Sequence, residues 1–242
     1  MLKPGALIVI PTALGDSALD TIIPPAVRQR VRALEYFVVE NPKTARAYLK
    51  LVGMAKPLQQ LHITSLNEHT PDAAVAELAA PLRAGHDLGL MSEAGCPGIA
   101  DPGAKLASYA HRHAIRVVPL VGPSSILLAL MASGLNGQRF AFHGYLPVAP
   151  AQRNSALREL EQQSRRLKQT QIFIETPYRN VKMVQSIIEV CAGETLLCIA
   201  TDLSLADEQI RTLSVASWRA IPPAIDRRPS VFLIDASGAG RS

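Results

Sequence analysis

The sequence predicts an α/β protein with two domains, and three observations support this class. Apolar runs of four to seven residues recur along the 242-residue chain and are bounded by turn residues. Stretches of helical periodicity separate many of these runs, and such alternation favours a substantially parallel sheet. Hydrophobic residues make up 48% of the sequence and charged residues 19%, which supports a sizeable core and argues against a disordered chain.

Eight apolar runs are predicted to be buried strands, because they are short and mostly rich in leucine or β-branched residues. They are LIVI (7–10), YFVVE (36–40), DLGLMSE (87–93), IRVVPLV (115–121), FAFHGYL (140–146), QIFIE (171–175), LLCIATD (196–202) and VFLID (231–235). Helices are predicted between them, over 71–84, 102–114, 151–168 and 177–190.

Five residue pairs ending in proline are predicted to begin helices, because proline suits the first helical position after a capping residue. They are Asn41-Pro42, Thr70-Pro71, Asp101-Pro102, Gly122-Pro123 and Thr176-Pro177. Four of these pairs follow a strand closely, so helix N-termini are expected near the carboxyl ends of strands. Ligands bind at that edge of open α/β sheets, and free N–H groups there suit anionic or carboxylate ligands.

A domain boundary is predicted near residues 120–136, giving an N-terminal α/β domain over 1–121 and a C-terminal α/β domain over 122–242. The segment LVGPSS leads into the apolar helix ILLALMAS, and strand-like sequence resumes at FAFHGYL. The second half carries a basic helical stretch, which either is a solvated face or contacts RNA phosphates. Its cations are Arg153, Arg158, Arg165, Arg166 and Lys168.

Bulk properties indicate a cytoplasmic protein. No apolar run approaches the roughly 18 residues that a membrane span needs. The start, MLKPGALIVIPTALGD, is predicted to be a first strand and turn and not a signal peptide. Three cysteines without CxxC spacing favour a reduced compartment. The net charge of +5 permits an RNA partner without requiring one.

Several common catalytic signatures are absent. The sequence contains no GxGxxG, no GxxxxGK[ST] and no GxSxG, which disfavours a dinucleotide fold, a P-loop and a serine hydrolase. His111 and His113 are two residues apart, so on a helix they point to different faces, and no metal site is predicted.

Turns rich in glycine and proline follow most of the predicted strands. They are PTALGD (11–16), SEAGCPGIADPG (92–103), GPSS (122–125), HGYLP (143–147) and IETPYR (174–179). Glycine lets a backbone approach a ligand closely, and proline lowers the entropy lost when a loop is ordered. Each turn alone can be a simple connection, but together they suit a ligand that carries adenosine and an amino-acid group.

In the order of these motifs, the sequence resembles the tetrapyrrole methylase superfamily of S-adenosylmethionine-dependent methyltransferases. Over residues 7–235 it is most similar to the ribosomal RNA small subunit methyltransferase I family, which methylates a cytidine 2′-hydroxyl of 16S rRNA. The resemblance implies two α/β domains with a cofactor cleft between them, a homodimer, and a small ribosomal subunit substrate.

Matched positions imply which residues contact S-adenosylmethionine. They are Pro11, Gly95, Pro97, Gly98, Ile99, Ala100, Asp101, Ser124, Ser125, Gly144, Tyr145, Glu175, Thr176 and Pro177. The segments expected to face the substrate depart from the family pattern. Where the family has AEDTR, SDAGTPG and ELTK, this sequence has VENPKTAR, SEAGCPG and TDLSL. The chain therefore resembles a divergent branch.

A ribose hydroxyl that attacks a sulfonium methyl needs a base for its proton. The candidates are Glu40, Glu68, His69, Glu93 and Glu175. Glu93 is the first choice because it opens the cofactor loop, with Glu40 second, although Glu93 can equally accept N–H groups of its own loop. Cys96 has no neighbouring base in the sequence, so a small packed thiol is expected and not a nucleophile.

Three functions remain open from the sequence. The first is an RNA 2′-O-methyltransferase, which the resemblance favours. The second is a methyltransferase for a small molecule such as a tetrapyrrole precursor. The third is a non-catalytic protein that binds S-adenosylmethionine, which would account for the changed substrate segments.

Overall fold

The computed structural model describes residues 3–238, which divide into two compact units at the Ser124–Ser125 bond. Unit 1 precedes this bond and unit 2 follows it. Each unit contains one five-stranded sheet with helices packed against it. The predicted α/β class is confirmed in both units. No helix in the described part of the chain is both long and apolar enough to cross a membrane.

Unit 1 is built on an all-parallel sheet with strand order β3-β2-β4-β1-β5. Its strands are β1 (Leu7–Val9), β2 (Tyr36–Val39), β3 (His62–Ser65), β4 (Leu88–Met91) and β5 (Val117–Pro119). Its helices are α1 (Leu19–Ile22), α2 (Pro25–Arg32), α3 (Pro42–Val52), α4 (Val75–Leu78), α5 (Ala80–Arg83) and α6 (Gly103–Arg112). Because the strands are parallel, the loops after them emerge at one edge.

Both faces of the unit 1 sheet are buried, which explains its continuous apolar strands. Ile8 and Phe37 belong to one hydrophobic cluster, whereas their strand neighbours Leu7 and Val38 belong to another. Successive strand residues point to opposite faces, so each strand supplies two cores.

Unit 2 has a mixed sheet with strand order β6-β7-β10-β8-β9. Its strands are β6 (Phe140–Tyr145), β7 (Thr170–Glu175), β8 (Leu196–Thr201), β9 (Gln209–Ser214) and β10 (Ser230–Asp235). Its helices are α7 (Ser125–Ser133), α8 (Pro150–Leu167), α9 (Asn180–Val190) and α10 (Val215–Ala220). Only β6 and β7 pair in parallel. The expectation of a substantially parallel sheet is therefore wrong for unit 2.

All eight predicted strands are present, and two further strands were not predicted. The missed strands, β3 (HITS) and β9 (QIRTLS), are polar and lie at sheet edges. The predicted helix over 71–84 is also wrong as one element. It consists of a 3-10 turn, Asp72–Ala74, followed by the short helices α4 and α5, with Ala79 as the break.

The predicted helix starts are confirmed only at Asn41-Pro42, where the Asn41 side chain accepts from the Lys43 N–H at 2.9 Å. At the other four pairs, proline does not occupy the first position of an α-helix. Pro71 precedes a 3-10 turn, Pro102 is itself the cap of α6, and α7 begins two residues after Pro123. Pro177 begins the 3-10 helix Pro177–Arg179, ahead of α9.

Candidate functional site

The loops that follow β1, β4 and β5 are joined to one another at the carboxyl edge of the unit 1 sheet. The Thr12 N–H donates to the Gly95 carbonyl at 2.9 Å, which links the first and fourth strand loops. The Cys96 thiol lies 3.4 Å from the Pro123 carbonyl, which links the fourth and fifth. Buried Pro11 accepts from the Tyr48 hydroxyl at 3.1 Å. These contacts gather the predicted residues of unit 1 along one edge.

The loop SEAGCPGIADPG has a backbone that explains its glycines. Gly95, Gly98 and Ala100 have φ angles of 72°, 84° and 60°, in the left-handed region that favours glycine. Asp101 closes the loop, since its carboxylate accepts from the Gly98 N–H at 2.8 Å and the Gly103 N–H at 2.6 Å. Burial raises the pKa of Asp101, and these N–H groups oppose that rise. Asp101 therefore fixes the loop's shape.

Glu40 and Glu93 form a hydrogen-bonded pair between the β2 and β4 loops. The Glu93 N–H donates to Glu40 Oε2 at 3.1 Å, and Asn41 Nδ2 donates to Glu93 Oε1 at 2.8 Å. Burial raises the pKa of Glu40; the Glu93 N–H opposes this rise, and the nearby carboxylates of Asp101, Glu93 and Glu68 add to it. A carboxylate with a raised pKa is the stronger base. Asn41 was predicted only as a helix cap.

The other predicted base candidates of unit 1 are more exposed than Glu40. Glu68 and His69 are exposed and lie 3.5 Å from each other in the loop after β3. Cys96 is partly buried, and burial raises the pKa of its thiol, followed by the charge of Asp101. A raised pKa keeps the thiol protonated, which agrees with the prediction that Cys96 is not a nucleophile.

In unit 2, the predicted residues other than Ser125 lie at the carboxyl ends of the adjacent strands β6 and β7. Gly144 has a φ of 63° beside an irregularity in the β6–β7 pairing between Phe142 and Tyr145. Glu175 ends β7, and Thr176 and Pro177 follow it. Ser125 begins α7 directly after Ser124, the last residue of unit 1.

Glu175 is held by Arg179, a partner that was not predicted from the sequence. Its side chain is 1% exposed, and Oε1 accepts from Arg179 Nη2 at 2.6 Å and Nε at 2.9 Å. The Thr176 N–H donates to the same oxygen at 2.7 Å. Glu175 ends a strand and Arg179 ends a 3-10 helix, so the helical spacing rule does not apply and no local pattern predicted this ion pair.

The basic stretch of α8 does not act as one surface. Arg153 is 6% exposed, and its guanidinium donates to Ser186 Oγ at 2.9 Å and to the Val148 carbonyl at 3.1 Å. Arg153 is therefore a packed side chain, and the expectation that it belongs to a solvated or RNA-contacting face is wrong. Arg158, Arg165, Arg166 and Lys168 are exposed.

Comparison with known families identifies this fold. The family described as Tetrapyrrole (Corrin/Porphyrin) Methylases matches residues 8–217. The chain belongs to the tetrapyrrole methylase family. Members use S-adenosylmethionine, so the chain is an S-adenosylmethionine-dependent methyltransferase.

Curated relatives of this tetrapyrrole methylase carry the name ribosomal RNA small subunit methyltransferase I. The protein from Pseudomonas aeruginosa is 34% identical over 236 residues, which cover 96% of this chain and 79% of that protein. The Mesorhizobium japonicum protein is 34% identical, with 87% and 67% covered, and the Escherichia coli O157:H7 protein 31% identical, with 89% and 71% covered. The predicted family resemblance is confirmed.

Solved structures of tetrapyrrole methylases share the fold. The methyltransferase CobJ aligns with a TM-score of 0.64 at 16% identity, over 96% of this chain and 94% of CobJ. Uroporphyrin-III-C-methyltransferase from Thermus thermophilus aligns with a TM-score of 0.57 at 16% identity, over 98% and 95% of the two chains.

The side chains and backbone present are of the kinds that S-adenosylmethionine requires. Thr12 Oγ1 is buried and has no hydrogen-bond partner among the described residues, so it is available to an amino or carboxylate group. Ile99 is 48% exposed and offers apolar surface to an adenine ring. A side chain at Gly144 would meet no atom within 4 Å, so open space lies above its backbone. In the described part of the chain, no three His, Cys, Asp or Glu side chains cluster as a metal-ion site.

Proposed function

We propose that this tetrapyrrole methylase transfers a methyl group to a ribose 2′-hydroxyl of small-subunit ribosomal RNA, with a 16S cytidine as the acceptor. The observation that carries the proposal is the 34% identity to a protein named for small-subunit ribosomal RNA, over 79% of its length. The resemblance of the motifs between residues 92 and 147 to the same family supports it further.

Glu40 is the proposed general base. S-adenosylmethionine supplies a methyl group on a sulfonium, which a hydroxyl oxygen attacks as the sulfur leaves. The hydroxyl must lose its proton during or after this attack, and a positioned carboxylate accepts it. Glu40 fits this role better than Glu93 because it is half-buried, whereas Glu93 is exposed, and burial raises the pKa of Glu40. Glu93 then holds Glu40 through its N–H and is itself fixed by Asn41.

The predicted cofactor residues are proposed to bind S-adenosylmethionine mainly through backbone groups. In unit 1 the loop 95–101 is held in shape by Asp101 and by the Thr12–Gly95 bridge. In unit 2 the contribution comes from residues 144–145 and 175–177, where Glu175 is already engaged by Arg179. A loop ordered before binding loses little entropy when the cofactor arrives.

Two glycines with matched backbones test the unit 2 part of this proposal. Gly144 and Gly134 have φ angles of 63° and 71°, and an added Cβ at either meets nothing within 4 Å. Gly144→Ala and Gly134→Ala should each lower the free energy of unfolding by about 1–2 kcal/mol. Only Gly144→Ala should weaken S-adenosylmethionine binding in calorimetry. Equal affinities of the two variants for S-adenosylmethionine would show that Gly144 does not contribute to cofactor binding.

The homodimer implied by the family resemblance and the cytoplasmic location indicated by the bulk properties are part of the same proposal. Three free cysteines, two of them buried, suit a reducing compartment.

The decisive test is transfer of radiolabelled methyl from S-adenosylmethionine to small ribosomal subunits isolated from cells that lack this protein. Label that nuclease releases, located by digestion at a 2′-O-methylated cytidine, is the expected result. An authentic small-subunit methyltransferase I acting on the same subunits is the positive control. No label from this chain beside an active control would contradict the RNA proposal.

A further inference from the structure

An exposed tyrosine lies at the carboxyl edge of the unit 2 sheet, within the predicted turn IETPYR but not among the residues predicted to bind the cofactor or to act as a base. Tyr178 lies in the 3-10 helix Pro177–Arg179 directly after β7, and it is 69% exposed. An exposed aromatic ring is not a site by itself. What distinguishes Tyr178 is how its neighbours hold it.

The ring of Tyr178 is backed by an anchored guanidinium. The central carbon of the Arg179 guanidinium lies 5.5 Å from the centroid of the ring, within the range of a cation–π contact. Arg179 donates two hydrogen bonds to the buried carboxylate of Glu175. Charge-assisted bonds of this kind fix a guanidinium more firmly than contacts to water. The buried Glu175 therefore orients Arg179, and Arg179 steadies the ring.

The surface around Tyr178 combines apolar and cationic groups. Val181, three residues on, is 40% exposed, and Lys182, four residues on, is also exposed. Val181 and Lys182 lie in the first turn of α9, which directly follows the 3-10 helix that contains Tyr178. Tyr145, 54% exposed, ends the neighbouring strand β6.

We propose that Tyr178, backed by Arg179, stacks against an unstacked base of the RNA substrate, while Lys182 contacts a neighbouring phosphate. The inference rests on the proposed function. Proteins recognise single-stranded RNA by stacking bases on aromatic rings and by placing cations along the backbone. Small-molecule sites are concave and enclose most of their ligand, whereas Tyr178 is largely open to water. The openness of the ring therefore favours RNA over a planar small molecule.

The first experiment compares Tyr178→Leu with Tyr178→Phe on small ribosomal subunits. Tyr178→Leu should lower kcat/KM about tenfold or more through a raised KM, the order expected for one lost base stack. Tyr178→Phe should stay close to the wild type because it keeps the ring. Ile221→Ala removes another exposed apolar side chain of unit 2, 49% exposed, and should change nothing. Affinity for S-adenosylmethionine and melting temperature should be the same in all four proteins.

A tryptophan at this position reports stacking directly. The chain has one tryptophan, Trp218, which is 3% exposed and donates to the Leu197 carbonyl. Tyr178→Trp adds an exposed fluorophore, whose emission a stacked base should quench. Titration with a ten-nucleotide single-stranded RNA should quench Tyr178→Trp and leave the wild type unchanged.

The outcomes separate this inference from the proposed function. Suppose that the wild type methylates small subunits, that Tyr178→Leu keeps the wild-type kcat/KM, and that RNA does not quench the fluorescence of Tyr178→Trp. The stacking role is then overturned and the proposed function stands. If the wild type labels no RNA, the function fails, and the fluorescence titration alone decides whether Tyr178 binds RNA. Quenching by a porphyrin and not by RNA would overturn the inference in favour of a planar small molecule.

Discussion

Glu40→Gln is expected to lower methyl transfer by about 100-fold or more, the usual contribution of a general base. The fold should not suffer, because the amide oxygen can still accept the Glu93 N–H that now donates at 3.1 Å. Burial raises the pKa of Glu40, so the folded protein holds its proton more tightly than the unfolded chain does. Ionisation of Glu40 thus removes stability as pH rises from the unfolded pKa through the folded one. At neutral pH the variant should melt at the wild-type temperature or above it.

The pH dependence of the wild type gives a second readout. Glu40 must be ionised to accept a proton, so kcat/KM should fall on the acid side at a pH above the ordinary glutamate pKa of about 4.3. Glu77→Gln, an exposed glutamate of α4, is the matched control and should keep full activity. A folded Glu40→Gln enzyme with near-normal rates would rule out Glu40 as the base.

Gly122→Ala is expected to weaken S-adenosylmethionine binding, because the added methyl group would clash with Pro11. A Cβ at Gly122 would lie 2.4 Å from Pro11 Cβ and 2.9 Å from Pro11 Cγ. The proline ring is stiff, so one of the two loops must move. Overpacking of this kind lowers stability by about 1–3 kcal/mol. Because Pro11 precedes the Thr12–Gly95 bridge, the shift should reach the cofactor loop and weaken binding about tenfold, the equivalent of 1.4 kcal/mol.

Gly137→Ala provides the comparison for this prediction. An added Cβ at Gly137 meets nothing within 4 Å, so this variant should bind S-adenosylmethionine as the wild type does. Calorimetric titration and thermal melting on both variants measure the two effects separately. Unchanged affinity in Gly122→Ala would mean that the β1 and β5 loops do not shape the cofactor site.

Local sequence predicted the strands of the core well, because burial on both faces makes a strand continuously apolar, as in LGLM and LLCIA. It missed β3 and β9 because edge strands that face water carry polar residues. The antiparallel pairing of β10 with β7 and β8 could not be predicted from local sequence either. Which strands pair depends on contacts between residues far apart in the chain, such as Phe232 with Phe173 and Ile199.

For the candidate site too, some features were predicted from the sequence and others were not. The glycine positions were named from the family resemblance, since the cofactor-loop motifs survive in the sequence, and Glu40 was named as an acid that could accept the hydroxyl proton. The bonds that give those residues their properties were not predicted. The Asn41–Glu93–Glu40 chain joins two loops about fifty residues apart, a separation that the helix and strand periods do not describe.

The place of β10 in unit 2 bears on how the protein is made. β10 lies between β7 and β8, although it is the last of these strands to be synthesised. Until it leaves the ribosome, β7 and β8 each have an open edge with unpaired N–H and C=O groups. Unit 1 has all five of its strands by residue 119 and can fold while synthesis continues. The nascent chain should therefore pass through a stage with one folded half and one unfinished half, in which a chaperone that covers exposed strand edges would protect it from aggregation.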